Sequence, residues 1–181
     1  MIGSEIAKRY ARALFQLASE EGAVEEIYNE LSSFSRTLRD NRNLLEFFAN
    51  PIFDAQEKKA VLNEILAKMK ISGMTANFLN LLVDKRRIDI LLEVEACFRN
   101  YLDELMNKVR VKVKSAFPLT GETVDKLTAR LAEMTGKNVE MTVEDDRSLL
   151  GGVVIAVGDT LYDGSVKTQL ASIRELIREE M

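Results

Sequence analysis

Residues 148–176 constrain the architecture of this chain more than any other stretch, because three local signals follow one another there without a gap. Gly151-Gly152 break the chain, and 153–157 is an unbroken apolar run of strand length. Gly158-Asp159 has the length and residue types of a two-residue hairpin loop, so 160–162 should return antiparallel beside that run. Asp163-Gly164 turns the chain again. Ser165 then occupies an N-cap position, and Val166, Leu170, Ile173 and Ile177 follow at the spacing of one helix face. The expectation is strand, tight turn, strand, helix. A glycine-rich loop leading into a helix can also cradle a phosphate, but neither Gly-x-x-x-x-Gly-Lys-Ser/Thr nor Gly-x-Gly-x-x-Gly occurs, so these glycines read as turn formers.

Upstream, the periodicity is helical. Ser4 caps a first helix to about residue 21, with Ile6, Tyr10, Ala13, Leu14 and Leu17 on one side and Ala7, Ala11, Phe15 and Ala18 on another, an apolar arc wider than one core-facing stripe needs. Gly22 ends it. Val24, Ile27, Leu31, Phe34 and Leu38 mark a second helix, and Leu44, Leu45, Phe47 and Phe48 a short third one that closes before Asn50-Pro51. Asp54 and Glu57 form a capping box ahead of a fourth helix bearing Leu62, Ile65 and Leu66. A fifth, 74–85, is apolar on one broad side at Phe78, Leu79, Leu82 and Val83, with Asn77, Leu81 and Asp84 as a mixed stripe. A sixth is expected over about 87–108, with Ile88, Leu91, Leu92, Phe98, Leu102 and Leu105 inward. Short links between these helices predict a compact bundle.

The period changes at Val109. Val109, Val111 and Val113 alternate with Arg110, Lys112 and Lys114, the pattern of a one-sided strand. A helix, 122–135, follows with Val124, Leu127 and Leu131 in a row, and Gly136 stops it. Val139, Met141 and Val143 then alternate with Glu140, Thr142 and Glu144, so neighbouring strands would set a basic outer row against an acidic one. The fold class expected is mainly α with a small α/β part: an N-terminal six-helix bundle over 1–106, then a C-terminal module of short strands and two helices over 107–181.

Composition narrows the function. The chain has 181 residues, 46% hydrophobic and 30% charged, which suffices for a buried core. Its net charge of −4 and the absence of aromatic residues interleaved with the Arg110, Lys112 and Lys114 row oppose nucleic-acid binding. Histidine is absent and Cys97 is the single cysteine, which excludes an intrachain disulfide, a His/Cys metal cluster, and Ser-His or Cys-His nucleophiles. Cys97 falls within the sixth helix pattern and is expected in the core. No apolar run approaches the roughly twenty residues of a membrane helix, and the first residues lack a secretory signal core. A soluble protein in a bacterial cytoplasm is expected, with no metal and no cofactor.

Two motifs carry a family resemblance. Residues 149–176, with Gly151, Gly152, Gly158, Asp159, Asp163, Gly164 and Ser165 at these separations, resemble the C-terminal signature of the delta subunit of F-type ATP synthases, whose mitochondrial counterpart is the oligomycin-sensitivity-conferring protein. Tyr10-Ala11-Arg12-Ala13-Leu14-Phe15 resembles that family's N-terminal motif, and the likeness spans essentially the whole chain. The chain departs from it at Ala156, where the family usually carries a polar or charged residue.

The resemblance implies a non-catalytic peripheral-stalk subunit that ties the catalytic head to the stalk, so that proton-driven rotation is coupled to ATP synthesis. It implies two partners: the N-terminal helix of an alpha subunit on the first and fifth helices, and the C-terminal ends of the stalk b subunits on the C-terminal part. For the first partner the candidate contacts are Ile6, Tyr10, Ala13, Leu17, Asn77 and Leu81. The isolated chain would be a monomer, reaching the cytoplasmic face of the plasma membrane only through the complex. Pattern alone leaves open a generic helical adaptor with other protein partners, or an enzyme working through carboxylates in a cleft.

Overall fold

The computed structural model describes residues 4–158 and 160–179. Among them are eight α-helices and one four-stranded sheet, in the mainly α arrangement with a small α/β part expected from the periodicities. The chain divides into two compact units between Leu102 and Asp103.

The first unit is helical. Helix α1 (Glu5–Glu20) starts where the Ser4 hydroxyl accepts a hydrogen bond from the Ala7 N–H. The Ser4 N–H in turn donates to Glu93 Oε2 at 2.7 Å, which ties the start of α1 to the sixth helix and holds the Glu93 carboxyl below the usual carboxylate range. Ala7, Ala11, Leu14 and Ala18 are buried, so small residues let α1 lie close against its neighbours. Helix α2 (Val24–Asp40) buries Val24, Ile27, Leu31, Phe34 and Leu38, the whole row read from its three- and four-residue spacing. Helix α3 (Arg42–Ala49) ends at the cap residue Asn50, one position before Pro51. Helix α4 (Ala55–Met69) opens with the Asp54/Glu57 capping box, both reciprocal hydrogen bonds being present. Helix α5 (Gly73–Asp84) buries Phe78, Leu79, Leu82 and Val83.

The sixth helix departs from its expected form. Residues Ile88–Ile90 make a 3-10 turn, and α6 proper runs Leu91–Leu105, stopping short of Lys108 because Asn107 takes a positive φ of 50°. Leu105 is exposed, not inward, since it sits in the last turn where the buried face has run out. The inward row also contains Val94 and a carboxylate, Glu95, 3% exposed and paired with Arg39 of α2 at 2.6 Å.

The second unit is built on a β-α-β crossover. Strand β1 (Lys108–Ser115) pairs in parallel with β2 (Asn138–Asp145), and α7 (Gly121–Thr135) connects them. Thr120 caps α7, and Gly136 ends it in the left-handed conformation. The register sets Arg110 opposite Glu140 and Lys114 opposite Glu144, the basic row against the acidic one. Arg110 reaches Glu140 at 3.5 Å and Asp103 at 2.8 Å.

Strand β3 (Val153–Val157) adds antiparallel to the other edge of β1, and β4 (Thr160–Asp163) returns antiparallel beside β3, giving the order β2-β1-β3-β4. Val157 pairs with Thr160, as a two-residue loop requires, and Gly158 takes φ 57°; Asp159 lies outside the described residues. The core of this unit is Val111, Val113 and Leu131, with Val139, Met141 and Ile155 packed on it. A 3-10 turn, Arg147–Leu149, leads into β3, and helix α8 (Val166–Glu179) closes the chain.

Candidate functional site

The side of α1 that the bundle leaves uncovered meets the mixed stripe of α5. Ala13 is exposed, Leu17 is 51% exposed and Leu81 is 41% exposed, while Tyr10 is half-buried with its ring edge-on to Phe78, centroids 6.4 Å apart. Tyr10, Ala13, Leu17, Asn77 and Leu81 together line an open groove of ≈ 980 Å³. Leu14 and Phe78, both buried, form its floor, and Gly73 and Met74 extend it along α5. Ile6, the sixth residue proposed from the sequence, is half-buried and is not part of the lining.

Sequence reasoning missed the two ends of this groove. Arg9 and Glu21 belong to its lining. Arg9, Ala13, Leu17 and Glu21 recur every four residues, charged at each end and apolar between, but the spacing alone does not set this pair apart from the chain's other exposed charges; the groove beside them does.

The groove carries binding chemistry. Its surface is aliphatic and aromatic, with the Asn77 amide and the two terminal charges as polar groups, which suits an amphipathic helix laid along α1 and α5. Elsewhere, burial pushes the Cys97 thiol up, away from the thiolate form that nucleophilic chemistry needs. Among the described residues, no three His, Cys, Asp or Glu side chains converge to hold a metal ion. No described helix is long and apolar enough to cross a membrane.

In the second unit the glycine signature is a fold-locking device. Gly152 has φ 79°, and a Cβ built there would lie 2.3 Å from the Gly164 carbonyl oxygen, so two stretches of backbone meet where only glycine fits. Three backbone hydrogen bonds fasten the junction: Ala116 N–H to Gly152 O, Gly164 N–H to Val153 O, and Val166 N–H to Gly151 O. Ser165 is buried, and its hydroxyl caps α8 by accepting from the Thr168 N–H. Asp163 accepts from the Ser165 N–H and the Thr168 hydroxyl, and the first of these bonds is the larger cause of its carboxyl lying below the usual range. Beyond the lock, Leu161 and Tyr162 on the edge strand and Val166, Leu170 and Ile173 on α8 are exposed apolar side chains. The side chain of Ile177, expected on the same row, lies outside what is described.

A mainly α chain with a helical bundle, an open groove on its first and fifth helices, and a small α/β unit locked by paired glycines is the class that the coordinates define. Comparison with known proteins gives the family. The family model for the ATP synthase delta (OSCP) subunit matches residues 6–177. The ATP synthase subunit delta of Syntrophus aciditrophicus (strain SB) is 55% identical over 179 residues, 99% of each chain. That of Citrifermentans bemidjiense is 41% identical over the same span and coverage. A chain in the cryo-EM structure of the Toxoplasma gondii mitochondrial ATP synthase hexamer shares the fold at a TM-score of 0.73, with 24% identity over 96% of this chain and 98% of that one.

The chain belongs to the ATP synthase delta (OSCP) subunit family. It is a peripheral-stalk subunit of F-type ATP synthase, and so part of an enzyme complex.

Proposed function

We propose that this chain is the non-catalytic link that holds the catalytic head to the peripheral stalk, with the groove between α1 and α5 receiving the N-terminal helix of an alpha subunit. The α/β unit receives the C-terminal ends of the stalk b subunits, and the whole sits on the cytoplasmic face of a bacterial plasma membrane through the complex alone. Proton-driven rotation of the central shaft does work on the head only if the head is kept from turning with it. A chain that grips the head through one unit and the stalk through the other supplies that restraint.

One observation carries the reading. The bundle is closed by Ala7, Ala11, Leu14 and Ala18, while Ala13, Leu17 and Leu81 stay exposed on the groove. Apolar side chains that the fold does not need form a surface for a partner helix. The exposed apolar row of β4 and α8 supports a second attachment in the same way. Because the chain has no histidine and no phosphate-loop motif, titration with ATP in a calorimeter should give no saturable micromolar binding.

Reconstitution tests the function. Adding the chain to a synthase stripped of its delta subunit should restore proton-coupled ATP synthesis. Retention of uncoupled hydrolysis alone, at saturating chain, would point to a generic helical adaptor with other partners.

A further inference from the structure

We infer that the groove is electrically polar and selects its occupant by charge order: an amphipathic helix with a carboxylate at the Arg9 end and a cation at the Glu21 end. This rests on the reading of the groove as a docking site for a partner helix and adds which helix it accepts. Arg9 on α1 and Glu21, the residue that caps its C-terminus, are twelve positions apart, about 18 Å along the axis at the rise of an α-helix. Both line the groove, both are exposed, and among the described residues neither makes an ion pair or a side-chain hydrogen bond. Their neighbour Lys8 behaves differently, being paired with Glu5 at 2.9 Å within the helix.

The length and charge specify the occupant. Between the two ends the wall is Ala13 and Leu17 over a floor of Leu14 and Phe78, an apolar stretch of roughly three helical turns. An occupant therefore presents apolar residues at helical spacing over that length, and its flanking charges meet Arg9 and Glu21. Asn77, exposed and without a side-chain hydrogen bond among the described residues, offers its amide midway along the opposite wall. A helix with the opposite charge order sets like charges together at both ends. Charges at the rim of an interface act chiefly on partner choice and encounter rate, and they are screened by salt.

The test measures binding of a synthetic peptide, the N-terminal segment of the alpha subunit from the same synthase, to the full-length chain by calorimetry at low salt and at high salt. Arg9→Glu and Glu21→Lys should each weaken binding by about three- to tenfold at low salt, with the difference shrinking at high salt. A peptide with its two end charges exchanged should prefer the Arg9→Glu/Glu21→Lys double variant over the original chain. Ala13→Asp, inside the apolar wall, is the comparator. Unchanged or tighter binding by both single variants, with Ala13→Asp binding lost, would overturn the charge order and leave the groove reading standing. Unchanged binding by Ala13→Asp as well would overturn both. Circular dichroism of each variant separates loss of binding from loss of fold, since Arg9 on α1 and Glu21 at its C-cap are both exposed.

Discussion

Gly152 and Gly164 approach so closely that no side chain fits between them: a Cβ on Gly152 would stand 2.3 Å from the Gly164 carbonyl oxygen. Two separate costs fall on Gly152→Ala, the positive φ of 79° and a clash with backbone that cannot swing away. The expected loss is about 2–4 kcal/mol from the C-terminal unit. Gly158→Ala, at φ 57° with open space around it, should cost only about 1 kcal/mol. Urea unfolding of both variants gives the comparison, and equal losses would mean that the close approach is unimportant.

The cap of α8 should be sensitive to acid. Hydrogen bonds from Ser165 and Thr168 lower the Asp163 carboxyl below its ordinary range, so the folded state binds that proton less readily than the unfolded chain. Its contribution is complete above the ordinary carboxylate range and is lost as pH falls through the lowered folded value. Asp163→Asn should therefore melt earlier than the original chain at about pH 6, and the gap should narrow towards about pH 3. A gap that stayed constant would assign the effect to shape alone.

Arg39 and Glu95 couple α2 to α6 through a carboxylate that is almost wholly buried. Arg39→Leu strands that charge and should cost about 2–4 kcal/mol. Replacing both partners by leucine should recover most of the loss, because two apolar groups at this site need no partner. A double variant as unstable as the single one would show that packing, not the stranded charge, dominates.

Much of this fold was legible in the sequence because its signals are local. The Asp54/Glu57 box, the Gly136 stop and the turns at Gly158 and Gly164 act over three or four residues, and each fell where expected. The matching of Arg110 with Glu140 was legible as complementary alternation, although the parallel order of the strands was not. The sixth helix was misread at both ends. Its pattern continues through Ile88 and up to Lys108, but Ile88–Ile90 tightens into a 3-10 turn and Asn107 adopts a left-handed conformation, choices made by neighbouring backbone. Buried Glu95 was invisible for a related reason: its partner Arg39 is 56 residues away in sequence. In the groove, the apolar residues could be found from their excess over what a bundle needs. Arg9 and Glu21 could not, since an exposed charge on a helix is ordinary until a cavity is seen beside it.

The helical unit should fold by itself. Residues 1–106 carry α1 to α6 and contain the compact helical unit, which ends at Leu102, so a chain ending at 106 should unfold in one cooperative transition. Gradual, non-cooperative loss of its helical signal on heating would place the boundary elsewhere.

The central claim is that the exposed face of α1 is there for a partner helix, and Ala13→Asp tests it most directly. Ala13 lines the groove, is exposed, and lies away from the Ala7, Ala11 and Ala18 face. A carboxylate placed there leaves the bundle intact, but it is buried without a partner once an apolar helix docks. Calorimetric binding of the alpha-subunit N-terminal peptide should weaken at least tenfold, about 1.4 kcal/mol or more, with the melting temperature of the free chain nearly unchanged. A variant that melts normally and binds the peptide with full affinity would contradict the claim, as would one that fails to fold, since Ala13 would then belong to the core.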